Sequence, residues 1–299
     1  MIRSTGSVPL RRRLGTVAIV GAALGVALVA GTGLASAKTT GYQPNPHGYT
    51  TFHDTRAGAA AVKPASNDLL YHGGFIQDHV AVYLVFWGKQ WTGDRNGVQT
   101  YLTNFFKGLG QPADHWSTVT SQYTGKGGHP VFGTSVLKGV WVDNGANAPF
   151  QATAGQIGGE AQRGFTHFGL KTKSHNLSMI VVSPHGVHPD GFGTPNHNWC
   201  AWHDSFNGLP FTNMPYVLDL GSSCGASSVR SRLDGFSIVA GHEYSETVTD
   251  PMPASGWVDS RGAENADKCA WMHLHTISLA TGTFAVQPTW SNKIHGCAG

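Results

Sequence analysis

Apolar positions along this chain fall into short unbroken runs that alternate with longer periodic ones. Residues 79–87, HVAVYLVFW, are almost continuously apolar and β-branched, the pattern of a strand covered on both faces and therefore central in its sheet. Residues 94–109 then place Val98, Leu102, Phe105, Phe106 and Leu109 at helical spacing, with a stop at Gly108 or Gly110. The alternation continues with a short strand at 137–142, a helix from about 151 to 168 and a second buried strand at 177–182, LSMIVV. A loop rich in glycine and proline, 183–198, precedes a further strand at 216–220. The last strong signal is 233–251, LDGFSIVAGHEYSETVTDP, where Phe236, Val239, Ala240 and Val248 give a helical period that Pro251 stops. This order predicts a mixed α/β (α+β) body, with a partly parallel mixed sheet, flanking helices and a loop-rich C-terminal part.

The N-terminus follows another pattern. Arg11, Arg12 and Arg13 precede an apolar run over 16–30, and Leu34-Ala35-Ser36-Ala37 offers small residues where a signal peptidase cuts. The run contains Gly21 and Gly25 and falls short of the roughly 20 residues a membrane span needs. Residues 1–37 therefore read as a signal peptide cleaved after Ala37, and the mature chain as secreted, with no membrane attachment. Residues 38–66 show no sustained period and read as a flexible arm or pro-segment. Residues 67–299 read as one domain, with a C-terminal subdomain after Pro251 as the alternative.

Composition changes this picture in one respect. Of 299 residues, 40% are hydrophobic, 12% are charged and 40 are glycine, the profile of a loop-rich globular chain. Lys and Arg number 20 against 17 Asp and Glu, but Arg3, Arg11, Arg12 and Arg13 belong to the leader, which has no acid. The body is thus close to neutral and lacks the basic stripe that nucleic-acid binding requires. Nine tryptophans allow a carbohydrate platform, although core packing is their commoner use.

The four cysteines, Cys200, Cys224, Cys269 and Cys297, lie in the last third, and their even number suits an oxidising compartment. Three pairings are open. Neighbour pairing is preferred, because each bridge then closes a loop-rich segment beside the residues that carry chemistry. A zinc-thiolate site lacks the close C-x-x-C pair it needs.

Those residues sit on the 233–251 helix. His242 and Glu246 are four apart and project from one face, while Glu243 follows the histidine directly. Zinc peptidases use this geometry in His-Glu-x-x-His, two ligands on one face and a glutamate that takes the proton from the attacking water. Glu246 here replaces the second histidine; a carboxylate is an ordinary zinc ligand, but it adds negative charge and weakens the Lewis acid. Glu264, in Gly262-Ala263-Glu264-Asn265-Ala266-Asp267, is the expected third ligand. Asp267 either supports His242 through its other ring nitrogen or ligates in place of Glu264. His203 is a further candidate, as a hydrogen-bond donor to the transition state. Asp250 reads as a helix-terminal hydrogen-bonding residue.

Tyr71-His72-Gly73-Gly74, the strand ending in Val85-Phe86-Trp87-Gly88, Cys200-Ala201-Trp202-His203, the 233–251 segment and Gly256-Trp257 resemble the phosphate-induced protein (exordium-like) family. The likeness spans about residues 69–297 and is strongest to secreted bacterial members. Thr247-Val248-Thr249-Asp250-Pro251 is similar to Thr-Val-Thr-Asn-Pro of the plant members, which carry an apolar helix in place of His-Glu-x-x-Glu and look like non-enzymatic growth factors of the cell wall. The bacterial relatives keep the His-Glu helix and an acidic Gly-x-Glu-x-x-Asp-x-Cys segment similar to residues 262–269, and look like zincin-type metallopeptidases. The resemblance implies a zincin-like active-site helix, one zinc ion, and a peptide or protein substrate that includes cell-wall material. The alternative it implies is a non-catalytic protein that binds the cell envelope or polysaccharide.

A serine hydrolase is the rival from the residues themselves. Gly221-Ser222-Ser223-Cys224-Gly225 matches G-x-S-x-G with Ser223 as nucleophile, and His72-Gly73-Gly74 resembles an esterase oxyanion loop. The segment after it, 226–232, is too weakly apolar for the helix such an elbow needs.

Overall fold

The structure, a computed structural model, describes residues 49–51, 68–195 and 197–299. The leader and nearly all of the 38–66 arm lie outside the described residues. In chain order the elements are β1 (Tyr49–Thr51), β2 (Leu70–Tyr71), β3 (Ala81–Trp87), α1 (Val98–Gly108), β4 (Leu137–Asp143), α2 (Ala154–His167), β5 (Leu177–Val182), β6 (Trp199–Phe206) and β7 (Leu209–Met214). Then come α3 (Asp234–Thr249), β8 (Trp257–Val258), β9 (His275–Leu279), β10 (Gly282–Val286), β11 (Thr289–Ser291) and β12 (Gly296–Ala298).

Six strands form the main sheet in the order β1-β6-β7-β5-β3-β4. β4, β3, β5 and β7 run parallel, and β6 and β1 add an antiparallel edge. The mixed, partly parallel sheet expected from the alternation is therefore present. The two strands read as continuous apolar runs, β3 and β5, lie side by side in its middle, and all six residues of β5 are buried. Such burial on both faces is why those runs do not alternate.

The β6–β7 hairpin was not anticipated, and residues 216–220 are not a strand. Asn207 and Gly208 both have positive φ, 51° and 76°, and join β6 to β7 in the two-residue turn that Asn-Gly favours. Residues Val217–Cys224 instead form a 3-10 turn, broken at Gly221 with φ of 55°, which carries Cys224 to its disulfide with Cys200. Cys269 pairs with Cys297, so both neighbour bridges are formed.

Helices cover both faces of the sheet. On β6, Phe206 packs against α2, where a Cβ added to Gly158 would sit 2.6 Å from its ring. Side chains alternate along a strand, so His203 points to the opposite face, where α3 lies. α3 is flanked there by α1 and the β9–β10 hairpin. All sixteen of its residues are buried. A helix buried all round is normally apolar all round, whereas this one carries Asp234, Ser237, His242, Glu243, Ser245, Glu246, Thr247 and Thr249. Its first turn is held by Asp234, whose Oδ2 accepts the N–H groups of Val229, Arg230 and Ser231 at 2.8, 2.7 and 2.9 Å. Its last turn is followed by Asp250, whose carboxylate accepts from Ala254, Ser255 and Gly256, the helix-terminal role expected of it. Gly256 fits against this turn only as glycine, since a Cβ would lie 2.1 Å from the carbonyl of Thr249.

On the other face, α2 buries a carboxylate of its own. Glu160 has both oxygens buried without a hydrogen-bond partner, and its ion pair to Arg163 is 3.4 Å long because Arg163 is drawn to Asp143. Burial pushes Glu160 up to about 7; Arg163 pulls it down and Asp143 adds to the rise. A carboxyl whose folded value lies above its unfolded value of 4.5 binds protons more tightly when folded, so stability is lost as pH climbs from about 4.5 to about 7. Glu160→Gln should remove that loss. The thermal midpoint of the variant is expected to gain on the parent between pH 5 and pH 8, and equal offsets at both pH values would contradict the assignment.

Candidate metal centre

The second half of α3 presents His242, Glu243 and Glu246 to a space walled by β6, by residues 259–269 and by the end of β10. β6 contributes His203, the 259–269 segment contributes Glu264 and Asp267, and Gln287 follows β10. The 259–269 segment is fixed from both ends. Asp259 accepts from the N–H groups of Arg261 and Ala263 and pairs with Lys268 at 3.2 Å, and Cys269 is tied to Cys297. Asn265 then donates from Nδ2 to the Ser245 carbonyl and the Thr249 hydroxyl, both at 2.7 Å, docking the segment along α3.

Two groups of ligand-type atoms result, each converging within 4.8 Å: His242, Glu246 and Asp267, and His203, Glu246 and Glu264. In the first, His242 Nε2 lies 2.9 Å from Glu246 Oε1 and 3.6 Å from Asp267 Oδ1. In the second, His203 Nε2 lies 3.5 Å from Glu264 Oε1, and Nδ1 lies 3.7 Å from Glu246 Oε2. His203 Nδ1 also meets Glu243 Oε2 at 3.2 Å, and Nε2 meets the Asp250 carbonyl at 3.3 Å.

Of the two candidates for a third ligand, each joins a different histidine. Asp267, and not Glu264, joins His242 and Glu246, and it does so on the same ring nitrogen that faces Glu246. The other nitrogen of His242 is served by Gln287, whose Oε1 is 3.4 Å from Nδ1. Gln287 is itself held, donating from Nε2 to the Ala266 carbonyl at 2.8 Å. Sequence reasoning missed it; a glutamine closing the apolar run of β10 just before Pro288 was the sole trace. Glu264 faces His203, which is enclosed by the carboxylates of Glu243, Glu246 and Glu264.

A divalent cation fits these residues. His242 Nε2, Glu246 Oε2 and Glu264 Oε1 are buried atoms without a hydrogen-bond partner. His242 Nε2 and Glu246 Oε1 stand 2.9 Å apart, and Oε1 also accepts the backbone N–H of Asp267 at 3.0 Å, which draws the Asp267 turn to α3. Donors about 2.1 Å from one ion at tetrahedral angles stand about 3.4 Å apart, and the spacings of 2.9 and 3.6 Å around His242 Nε2 bracket that value. Imidazole with carboxylate is a common donor set for zinc and its neighbours.

The serine elbow is not formed. Ser223 lies inside the 3-10 turn, no strand leads into it, and α3 begins only at Asp234. His72 and Gly74 donate their backbone N–H groups to Gly256 and Ser255, committing that loop to the turn after α3.

No protein-family model, no curated protein and no solved structure matches this chain.

Electrostatics give that geometry a measurable signature. Burial pushes Glu246 up to about 8, and the carboxylates of Asp267 and Glu243 add to the rise against the pull of His242. Burial, then Glu246, Asp250, Asp267 and Glu243, hold Glu264 well above the usual carboxylate range. Burial works to lower His242 and His203, but their acidic neighbours, Glu246 for the first and Glu243 for the second, raise both. Every shift has the same sense: the folded, metal-free protein holds protons that the unfolded chain releases. Its stability should fall as pH rises from about 4.5, where unfolded glutamate titrates, to about 8, where Glu246 titrates in the fold. Thermal melts of chelator-treated protein at pH 5 and pH 8 check this. A midpoint that stays level or climbs over that interval would contradict the buried carboxylate cluster.

Proposed function

We propose that this chain is a secreted metal-dependent hydrolase, and within that class a zinc peptidase. One observation carries the reading: His242 Nε2, buried and without a hydrogen-bond partner, faces Glu246 Oε1 at 2.9 Å and Asp267 Oδ1 at 3.6 Å. His242, Glu246 and Asp267 would hold the ion, with Gln287 fixing the ring of His242. A divalent cation there supplies Lewis acidity, which polarises a scissile carbonyl and lowers the pKa of water.

Glu243 is the proton carrier. It follows His242 directly on α3, and its carboxylate is oriented by the 3.2 Å contact with His203 Nδ1. It takes the proton of the attacking water and returns it to the leaving amine. His203 serves as a positioning residue for Glu243, in place of the direct contact with substrate expected from the sequence. Asp267, with 19% of its side chain exposed, is the ligand nearest solvent and marks the side from which a peptide would enter. Export is supported by the leader pattern in residues 1–37 and by two disulfides; no described helix is long and apolar enough to cross a membrane.

A second reading is favoured by the burial of the site. His203, His242, Glu243 and Glu246 have no exposed surface, which suits a cation that braces the fold of a non-catalytic envelope or polysaccharide-binding protein of exordium-like type. Glu243→Gln separates the two. In the peptidase, the variant keeps its zinc by elemental mass spectrometry and loses roughly 100- to 10,000-fold in kcat on a peptide substrate, the usual contribution of general acid-base catalysis. His242→Ala loses the zinc. Unchanged turnover in Glu243→Gln would refute the role of that residue, and no peptide cleavage by a zinc-loaded parent would favour the binding protein.

A further inference from the structure

Glu246 points its two oxygens at two different histidines. Oε1 faces His242 and Oε2 faces His203, and each histidine meets a further carboxylate of its own, Asp267 or Glu264. The histidines differ in the nitrogen that faces Glu246, Nε2 in His242 and Nδ1 in His203, but share a second feature. Nδ1 of each meets a side-chain oxygen, Gln287 Oε1 for His242 and Glu243 Oε2 for His203, while Nε2 of each faces an additional carboxylate. An acceptor on one ring nitrogen is what sets a ligating histidine, because it fixes the proton there and leaves the other lone pair for a metal.

The second group has its own unmet demand. Glu246 Oε2 and Glu264 Oε1 lack hydrogen-bond partners, on residues that are 0% and 3% exposed. His203 Nε2 lies 3.5 Å from Glu264 Oε1 and 3.3 Å from the Asp250 carbonyl, which can only accept, so without an ion Nε2 carries the proton whose place a cation would take. Acceptors gathered in this way in a dry interior require a proton or a cation between them. Geometry points to the cation: Glu246 Oε2 and Glu264 Oε1 are buried acceptors without a hydrogen-bond partner, and both residues belong with His203 to one group of ligand-type atoms within 4.8 Å of one another.

We infer that the centre is binuclear, with Glu246 bridging a first divalent cation held by His242 and Asp267 and a second held by His203 and Glu264. The inference rests on the proposed cation at His242 and adds to it a second metal site and a bridging ligand. Paired ions about 3.5–4 Å apart are a recurrent arrangement in hydrolases, including aminopeptidases, where both ions act on one displacement. Glu243 then orients the second ion's histidine, 3.2 Å from its Nδ1, and follows the first ion's histidine in the chain.

The test is zinc stoichiometry by native mass spectrometry on the full chain, stripped with chelator and reloaded with zinc, together with zinc-edge X-ray absorption. The parent should hold two zinc ions with a metal–metal vector of about 3.5–4 Å. Glu264→Gln, close in shape to the parent side chain, should hold one ion and show no such vector. One zinc in the parent overturns the binuclear centre and makes His203 an imidazolium counter-charge, while the single-ion function stands. Two ions without a metal–metal vector also overturn it, because Glu246 then does not bridge. No zinc at all overturns the single-ion reading and this inference with it. The parent measurement decides among these outcomes even if the variant fails to fold.

Discussion

The constraint on which this protein turns is the complete burial of a polar helix. α3 runs through the interior with histidine, glutamates, serine and threonines on faces that a core helix normally fills with leucine or valine. Each of those groups costs free energy unless it finds a partner. Much of the surrounding structure supplies them. Ser237 donates to the Ala285 carbonyl, Asn265 donates to Ser245 and Thr249, and the loops at both ends of the helix fold around Asp234 and Asp250. His242 Nε2 and Glu246 Oε2 are among the buried atoms of this helix that protein groups leave unsatisfied.

Sheet and disulfides set where that incompleteness lies. The Asn207-Gly208 turn returns the chain so that β6 lies antiparallel to β7, and alternation along β6 aims His203 at α3 while Phe206 packs on α2. On the far side, the Cys269–Cys297 bridge and the Asp259–Lys268 pair confine Glu264 and Asp267 to a short turn. A local turn thus sorts two carboxylates three residues apart onto two different histidines, with Glu246 common to both.

Legibility in the sequence followed the length and regularity of the signal. β3, β5 and the helices α1, α2 and α3 stand out because their apolar periods are sustained over many residues. The β6–β7 hairpin carried a readable sign in Asn207-Gly208, but Pro210 and the polar residues of 203–205 masked it. Residues 216–220 have strand-like side chains, yet the backbone at Gly221 and the disulfide at Cys224 impose a 3-10 turn. In the site, His242 and Glu246 were legible because a spacing of four fixes a shared helix face, and Glu243 because it follows the histidine in His-Glu-x-x-Glu. The choice between Glu264 and Asp267 was not, since both lie in a non-helical turn whose path depends on tertiary contacts. Gln287, 45 residues from His242, belongs to no motif.

The position of the Cys269–Cys297 bridge ties the site to the redox state of its surroundings. Cys269 is two residues beyond Asp267, so the bond that anchors the end of this segment also limits how far its two carboxylates can stray. With the thiols reduced, the same residues would have to be recruited from a longer and freer loop, at an entropic cost paid against ion affinity. Under the proposed function, closing this bridge would favour cation capture, and a chain with reduced thiols would hold the ion more weakly.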